Sequence, residues 1–397
     1  MNDTLSPQIT ITPLAAGRKV IPLSFKNGDI WHTSIKLPDL VVENTGGADT
    51  AITQVSILGF SQECHVVTFV RDADAVDAAL RASNGLLNKL AGIPVESPWR
   101  AYNLGALFGD VTLTRDAFET SSHLSPGAAT CLRLSELASF LYAGDAEIDA
   151  VTCAIKLRSD AGEATVETPI GLTPYRCEDD YIFPIKGPAT IMGTPWNQAW
   201  GHRMAVSQEF AVDVVDFRRD ETGAFALSSP PKSACVDDYY LYHREVLAAA
   251  AGTVIAAGNG WPNAGCTNPL EYSEKRVVEL TGKLLTDGME FVHAILGNYV
   301  ILDHHNGEFT LYAHMSEGSV RVVAGDDVAQ GDVLGLVGNT SNSDVPHLHF
   351  HLMDSGDFIT ANGLPVMFSN VPEGVAPGFD FGPTNALLYA DYLFVHT

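Results

Sequence analysis

Short apolar runs separated by turn residues follow one another through residues 1–175 of the chain. Each run is a few residues long and is bounded by residues such as Gly, Pro, Asn and Asp, a pattern typical of β-strands joined by tight turns. A two-sheet sandwich is the most economical arrangement for this many short strands. The predicted strands are Ile35–Val42, Ala51–Phe60, Cys64–Val70, Gly109–Leu113, Thr130–Leu134, Ile148–Leu157 and Glu163–Pro169.

Two segments are predicted to be helices. In Asp72–Leu90 the apolar residues recur at helical intervals, and the Asp at its start can cap the first turn. We expect this helix to pack across the sandwich or to link its two halves. Glu271–Leu296 predicts a second helix, inserted between two strand-rich blocks further along the chain.

The pattern changes at Pro174–Pro188, where a charged stretch and further prolines interrupt the strands. Beyond this point the chain is rich in Gly and contains all but three of its 13 histidines. We therefore predict a mainly β protein with two domains. Residues 1–175 form a β-rich, sandwich-like accessory domain, and residues 176–397 form an antiparallel β-sheet domain that carries the inserted helix.

Composition and charge exclude several classes of protein. Hydrophobic residues make up 46% of the 397 residues and charged residues only 18%, which excludes a disordered polyelectrolyte. Binding to nucleic acid or to an anionic membrane surface depends on Lys and Arg, so the net charge of −25 argues against both partners. An excess of carboxylates also keeps a protein soluble, which is the simpler explanation for this charge.

No apolar run reaches the ~18–20 residues that a membrane-spanning helix needs, so we predict no membrane insertion. Met1–Gly17 lacks the basic start and the apolar stretch of a secretory signal. The protein is expected in the cell envelope or outside the cell if a signal has been removed, and otherwise in the cytoplasm. The six cysteines include no C-x-x-C motif and fit one to three disulfides or none.

The segment Pro346–His351, with the sequence PHLHFH, is the strongest candidate for chemistry. Strand alternation puts His347, His349 and His351 on one face, with the two apolar residues between them in the core. Two imidazoles one residue apart can serve a single site, one as a metal ligand and the other as a base. A chance cluster of surface histidines is the alternative interpretation.

Further candidates lie upstream of this segment. His314 ends the run Leu311–His314, where a histidine with a purely structural role in the strand is the alternative. His202 precedes Asp213 by 11 residues, and Asp213 lies inside the apolar run Glu209–Val215. A carboxylate in such a strand is costly unless it is paired or bound to a metal. A solvated histidine and a salt-bridged aspartate are the alternative for this pair.

The order His…Asp…Tyr-Ala-His…His-Leu-His-Phe resembles the lysostaphin-type zinc metallopeptidases, whose best-known members cut peptide cross-links of bacterial cell walls. The resemblance covers about Tyr181–Phe368, and residues 1–175 show no such match. Further blocks are similar to the family in the same order: Arg244–Val254, Ser319–Gly331, Gly335–Ser341 and Asn362–Phe368.

The resemblance implies that His202, Asp213 and His349 bind one Zn²⁺ per chain, and that His314 and His347 are the two catalytic histidines beside it. Two His and one Asp suit a tetrahedral catalytic zinc with one position left open. His347 would then take a proton from water, and His314 would stabilise the oxyanion or protonate the leaving amine. The best-known members have only three residues between the first His and the Asp, whereas this chain has ten.

The function implied by the resemblance is a zinc-dependent endopeptidase with a peptide or peptidoglycan substrate. A catalytically inactive binding or regulatory module is one alternative, because some members of the family lack ligands. A peptidase for peptides outside the cell wall is another. Since the charge of −25 is repelled by anionic wall polymers, we expect a less anionic substrate or action in high salt.

Three other polar positions receive structural interpretations. We predict that His351 lies next to the site or at the surface and that Asp303–His305 forms a solvated edge beside a hairpin turn. Asp216 is the nearest alternative carboxylate to Asp213, but strand alternation points the two to opposite faces.

Overall fold

The structure, a computed structural model, describes residues 7–109, 111, 113, 117–192, 202–264, 295–371 and 392–395. Antiparallel strands make up 41% of the structure and helices only 13%, which confirms the mainly β prediction. The chain divides into two compact units, Met1–Tyr175 and Arg176–Thr397. Among the described residues, no helix is long and apolar enough to cross a membrane.

The first unit is built from short strands and three described helices. The helices are α1 (Ala73–Ala91), α2 (Pro98–Phe108) and α3 (Leu134–Leu137). The strands are β1 (Ile9–Pro13), β2 (Leu23–Asn27), β3 (Ile30–Ile35), β4 (Asp39–Asn44), β5 (Thr50–Ser61), β6 (Cys64–Asp72), β7 (His123–Leu124), β8 (Ala129–Arg133), β9 (Phe140–Gly144), β10 (Ala150–Ser159) and β11 (Gly162–Ile170).

The strands of the first unit form sheets in the orders β1–β4–β8, β2–β3–β9 and β11–β10–β5–β6, with β7 beside β5. Pairing of β5 with β10 sets Val55 opposite Ile155 and Ile57 opposite Cys153. All four side chains are buried in one apolar cluster to which every one of these sheets contributes. The predicted strands at Ala51–Phe60, Cys64–Val70, Thr130–Leu134, Ile148–Leu157 and Glu163–Pro169 are confirmed as β5, β6, β8, β10 and β11.

Helix α1 confirms the helix predicted at Asp72–Leu90. The Asp72 side chain accepts a hydrogen bond from the Ala75 backbone N–H and so satisfies one free donor of the first turn. Val76 and Leu80 pack into the main cluster of the unit, while Leu87 and Leu90 pack into a second cluster that includes residues of α2. The helix therefore joins two parts of the apolar core.

Two strand predictions in this unit are wrong. Ile35–Val42 is divided, because β3 ends at Ile35 and β4 begins at Asp39 with Pro38 just before it, and a proline cannot donate a ladder hydrogen bond. Near Gly109–Leu113 the described residues are not in a strand. They follow α2, a helix with a proline at its first position that the sequence analysis did not identify.

The second unit is dominated by one antiparallel sheet. Its strands are β12 (Ala189–Met192), β13 (Val212–Val215), β14 (Arg218–Arg219), β15 (Phe225–Ala226), β16 (Glu245–Leu247), β17 (Gly252–Gly258), β18 (Asn298–Asp303), β19 (Phe309–Met315), β20 (Asp327–Val328), β21 (Val333–Leu336), β22 (Leu348–Met353), β23 (Gly363–Leu364) and β24 (Tyr392–Val395). The sheet has the order β20–β17–β18–β19–β22–β13–β12–β24, with β23 beside β22. Small pairs are formed by β14 with β15 and by β16 with β21.

The centre of this sheet is its most buried part. Nearly every residue of β18, β19 and β22 is buried, so the alternate side chains of these strands face protein on both sides of the sheet. Most of the helix predicted at Glu271–Leu296 lies outside the described residues. The five described cysteines are free thiols, and Cys266 is also outside the described residues.

Candidate active site

The pairing of β13 with β22 brings together two groups that are far apart in the sequence. Asp213 lies directly opposite His349 in the register of these strands, so both side chains project from the same face of the sheet. Asp213 Oδ1 is 3.2 Å from His349 Nδ1. The strand pairing thus creates a carboxylate–imidazole pair in the middle of the sheet.

His202 completes this group from outside the sheet. It begins a short 3₁₀ turn, His202–Met204, and its Nε2 lies 3.0 Å from Asp213 Oδ2 and 3.2 Å from His349 Nδ1. One ligand atom from each of the three residues lies within 4.8 Å of the others. The structure therefore brings the three predicted metal ligands into one group.

The ten residues between His202 and Asp213 are packed down by specific contacts. Arg203 and Glu209 are both buried, and Arg203 Nη2 lies 3.5 Å from Glu209 Oε1. The Gly363 backbone N–H, from β23, donates a hydrogen bond to the Val206 carbonyl at 3.0 Å. These contacts hold the long segment against the sheet, so its length does not prevent His202 from reaching Asp213.

A β-bulge in β19 carries His314 to the same face. Val300 pairs with Tyr312 and Asn298 with Met315, so β19 has one residue more than β18 over this stretch. Ala313 is opposite His349, and regular alternation would point the next residue away from the site. His314 instead has φ of +63°, and its ring centroid lies 5.9 Å from that of His349.

His347 lies just before β22 and faces the same group. Its Nε2 is 3.6 Å from Asp213 Oδ1, and its ring centroid is 4.8 Å from that of His314. The structure thus brings all five predicted site residues together. The side chains of His202 and Asp213 are 24% exposed and that of His349 only 3%, so a bound molecule would approach from the side of the first two.

Backbone and side-chain oxygens determine which ring nitrogen points into the site. His314 Nδ1–H donates to the Thr340 carbonyl at 2.9 Å, and His347 Nδ1–H donates to the Val345 carbonyl at 2.8 Å. His202 Nδ1–H donates to Gln208 Oε1 at 3.0 Å, a contact that the sequence analysis missed. Because an oxygen acceptor requires the proton on Nδ1, the Nε2 atom of each neutral ring carries a lone pair.

The charges of the group depend on one another. Burial alone would raise the pKa of Asp213, but its neighbours His202 and His347, together with hydrogen bonds from His202 and His349, hold the pKa well below 3.8. Burial opposes a charge on His202, yet Asp213 raises the pKa of His202 above 6.5. Burial and the neighbouring His202 lower the pKa of His349 to about 4. An ionised carboxylate beside a neutral imidazole is the state that metal binding requires.

The structure corrects part of the interpretation of the other polar positions. His304, predicted to be solvated, is buried, with Nδ1 2.7 Å from the Ala251 carbonyl and Nε2 2.8 Å from Thr310 Oγ1. The neighbouring His305 is exposed as predicted. Asp216 is buried and pairs with Arg218 at 2.8 Å, as expected for a carboxylate that faces away from Asp213.

Replacement of Gly363 tests how the segment that carries His202 is held. A Cβ at Gly363 would lie 2.7 Å from the Ser207 carbonyl oxygen and 3.0 Å from the Glu209 backbone nitrogen. We expect Gly363→Ala to push this segment off the sheet and to weaken metal binding at least ~10-fold, as loss of a ligand's support does. Gly356→Ala is the matched control, because its nearest contact is the end of the flexible Ile255 side chain. Equal metal affinity of the two variants, measured by chelator competition, would contradict this account.

Acid titration of the metal-free protein tests the electrostatics. The pKa of His349 is about 4 in the folded state and 6.5 as a free side chain, so protonation of this ring favours the unfolded chain. The free energy of unfolding should therefore decrease as the pH falls from 6.5 toward 4. The loss is at most ~3 kcal/mol. NMR of the histidine rings after chelator treatment should give a titration midpoint near pH 4 for His349. A titration midpoint at or above pH 6.5 would contradict this explanation.

Comparisons with known proteins find relatives of part of this chain. Residues 236–361 match the model of peptidase family M23, and His202 and Asp213 lie before the matched range. Over 82 residues the chain is 38% identical to the peptidoglycan DD-endopeptidase ShyA of Vibrio cholerae. The matched segment makes up 20% of this chain and 19% of that protein. Over 60 residues it is 45% identical to the DD-carboxypeptidase/endopeptidase Mpg of Neisseria meningitidis. This segment makes up 15% of this chain and 13% of that protein.

The matched segments thus span less than a fifth of the length of these two relatives. The solved catalytic domain of the antimicrobial peptidase lysostaphin from Staphylococcus simulans aligns over 33% of this chain and 80% of that chain, with 23% identity and a TM-score of 0.20. The family match lies in the second unit, and both relatives are named as peptidases. The chain therefore contains a domain of peptidase family M23, the lysostaphin-type peptidases, at residues 236–361.

Proposed function

We propose that the second unit is a zinc-dependent endopeptidase that hydrolyses peptide bonds in bacterial peptidoglycan. The observation that carries this proposal is the group formed by His202, Asp213 and His349, whose ligand atoms lie within 4.8 Å of one another. His314 and His347 lie beside this group. The substrate class is supported by the name of the Vibrio cholerae relative, a peptidoglycan DD-endopeptidase. Such a substrate lies in the cell envelope, where we propose that the protein acts.

The donor set fits zinc. Tetrahedral zinc with bonds of about 2.0–2.2 Å keeps its ligand atoms roughly 3.3–3.6 Å apart. His202 Nε2 lies 3.0 Å from Asp213 Oδ2 and 3.2 Å from His349 Nδ1. His349 Nδ1 lies 3.2 Å from the other Asp213 oxygen, Oδ1, so small movements would open the group to the spacing that zinc needs. Three protein donors leave a fourth position open, which distinguishes a catalytic zinc site from a structural one.

In this proposal His347 carries out both proton transfers beside the zinc position. Zinc bound there would supply a Lewis acid that acidifies water and polarises the peptide carbonyl. His347, with its Nδ1–H held by the Val345 carbonyl, presents the lone pair of Nε2 as a base for the water proton. As the C–N bond breaks, the same ring returns this proton to the leaving amine, so that protons balance over the cycle.

His314 has a different role in this proposal. Burial and then its neighbours His347 and His349 lower its pKa well below 6.5, so the ring is neutral at neutral pH. Its Nδ1–H is used by the Thr340 carbonyl, which leaves Nε2 as a hydrogen-bond acceptor. We therefore propose that His314 orients the attacking water, because donation to an oxyanion would first require an unfavourable protonation.

Metal analysis of purified variants tests the ligand set and the base separately. Plasma mass spectrometry should find one zinc per chain in the wild type and none in His202→Ala or His349→Ala. His347→Ala should keep its zinc but hydrolyse cross-linked peptidoglycan fragments ~10²–10⁴-fold more slowly, the usual contribution of a general base. His305→Ala, an exposed histidine outside the group, is the matched control and should retain both zinc and activity.

Results that differ from these expectations would contradict the ligand set, the catalytic function or the substrate class. Zinc that survives in His202→Ala means that another residue is the third ligand. Zinc without hydrolysis of wall fragments or simple peptides supports a binding or regulatory module instead. Hydrolysis of simple peptides alone would place the substrate outside the wall.

The net charge of −25 makes a second prediction for the same assay. Walls that carry anionic polymers repel the protein, and added salt screens this repulsion over a distance of about 10 Å at 0.1 M. Activity on such walls should therefore rise with salt, while activity on walls stripped of these polymers should not. Equal salt responses of the two preparations would count against a role for the charge in substrate choice.

A further inference from the structure

His351 is a buried polar residue that the proposed reaction does not use. It lies two residues after His349 on β22 and is fully buried. Its Nδ1 is 2.9 Å from His349 Nε2. Its Nε2 has no hydrogen-bond partner in the described part of the chain.

The packing of the strand does not explain a histidine at this position. The neighbours of His351 along β22 are Phe350 and Leu352, and its cross-strand partner on β19 is Leu311, all fully buried apolar side chains. An apolar residue would leave no nitrogen without a partner here, and an unpaired buried polar atom destabilises the fold. The His349 ring is the polar group that His351 contacts, so the reason for this histidine lies with His349.

The tautomer of His349 is the property that His351 can control. His349 points Nδ1 at His202 and Asp213, whereas His202 points Nε2 into the group. An imidazole binds a metal through a lone pair, so a metal-binding His349 must carry its proton on Nε2. That proton is buried and needs an acceptor, and Nδ1 of His351 lies at the right distance to accept it.

We propose that His351 is a positioning residue whose Nδ1 accepts the Nε2–H of His349 and so directs the Nδ1 lone pair of His349 toward the metal. This inference rests on the zinc site of the proposed function. The other site histidines, His202, His314 and His347, donate to oxygens that can only accept. His351 differs from these oxygens, because each of its nitrogens can either donate or accept.

This difference has a consequence for the metal-free protein. There the His349 Nδ1–H can donate to the Asp213 carboxylate, and the His351 Nδ1–H can donate to His349 Nε2. On zinc binding each ring loses the proton on Nδ1 and gains one on Nε2, so the pair holds two protons in both states. The two rings therefore change tautomer together, with no net uptake or release by the pair.

Ring-nitrogen NMR of the histidine-labelled full chain, with and without Zn²⁺, tests the tautomer change directly. We expect His349 and His351 to carry their protons on Nδ1 without zinc and on Nε2 with zinc. An unchanged His351 tautomer, or a zinc-loaded His349 that keeps its proton on Nδ1, would overturn the proposal. This measurement uses the wild-type protein and so does not depend on any variant folding.

Zinc affinity of paired variants, measured by competition with a chromogenic chelator, tests the positioning role. His351→Leu removes the acceptor and should weaken zinc binding ~10–100-fold, the usual effect of losing a ligand's hydrogen-bond partner. His351→Asn puts an amide oxygen near the position of Nδ1 and should recover most of the affinity. His304→Gln is the matched control, because it alters a buried histidine whose partners are Ala251 and Thr310, and it should destabilise the fold without changing zinc affinity.

The outcomes distinguish a failure of the His351 proposal from a failure of the zinc-site proposal on which it rests. Wild-type affinity in His351→Leu, or an equal loss in His351→Leu and His351→Asn, would overturn the role of His351 while leaving the zinc site intact. A loss of affinity in His304→Gln as large as that in His351→Leu would show that general destabilisation explains the effect. Failure of the wild type to bind zinc would overturn both proposals.

Discussion

The contact between Asp213 and His349 across two neighbouring strands is the constraint on which the whole site depends. Their pairing puts a carboxylate and an imidazole 3.2 Å apart on a sheet whose central strands are almost wholly buried. A slip of one residue in this register would send one of the two side chains to the opposite face. The rigid sheet therefore determines the position of the first two ligands, and the remaining groups are arranged around them.

Two features outside the regular strand pairing bring His202 and His314 to this pair. The packed segment after His202 brings an imidazole to the sheet from outside it, and the bulge at His314 turns a ring that alternation would point away. A non-glycine residue with positive φ is strained by about 1–3 kcal/mol, and such strain persists only where the surrounding structure enforces it. The buried strands on both sides of β19 provide that enforcement.

The sequence predicted those parts of the molecule that depend on local pattern. Helix α1 was predictable from its apolar spacing and its Asp72 cap, and the His347–His349 face followed from strand alternation. The break at Pro38 was missed because the apolar residues on its two sides resemble one strand, although they belong to different sheets. Helix α2 was missed because only Leu104, Gly105 and Phe108 of its 11 residues are buried, which leaves little apolar periodicity. The bulge at His314 and the hydrogen bond from His202 to Gln208 depend on contacts between distant segments, for which a single sequence gives no periodic signal. Alternation alone would in fact have excluded His314 from the site.

The crystal structure of the zinc-loaded full chain, with anomalous scattering at the zinc edge, tests the central claim most directly. We predict one peak within bonding distance of His202 Nε2, an Asp213 oxygen and His349 Nδ1, with His314 and His347 beside it but not bound. A peak bound by His347 or His351, or one that does not touch Asp213, would contradict the assignment of this cross-strand pair as the foundation of the site.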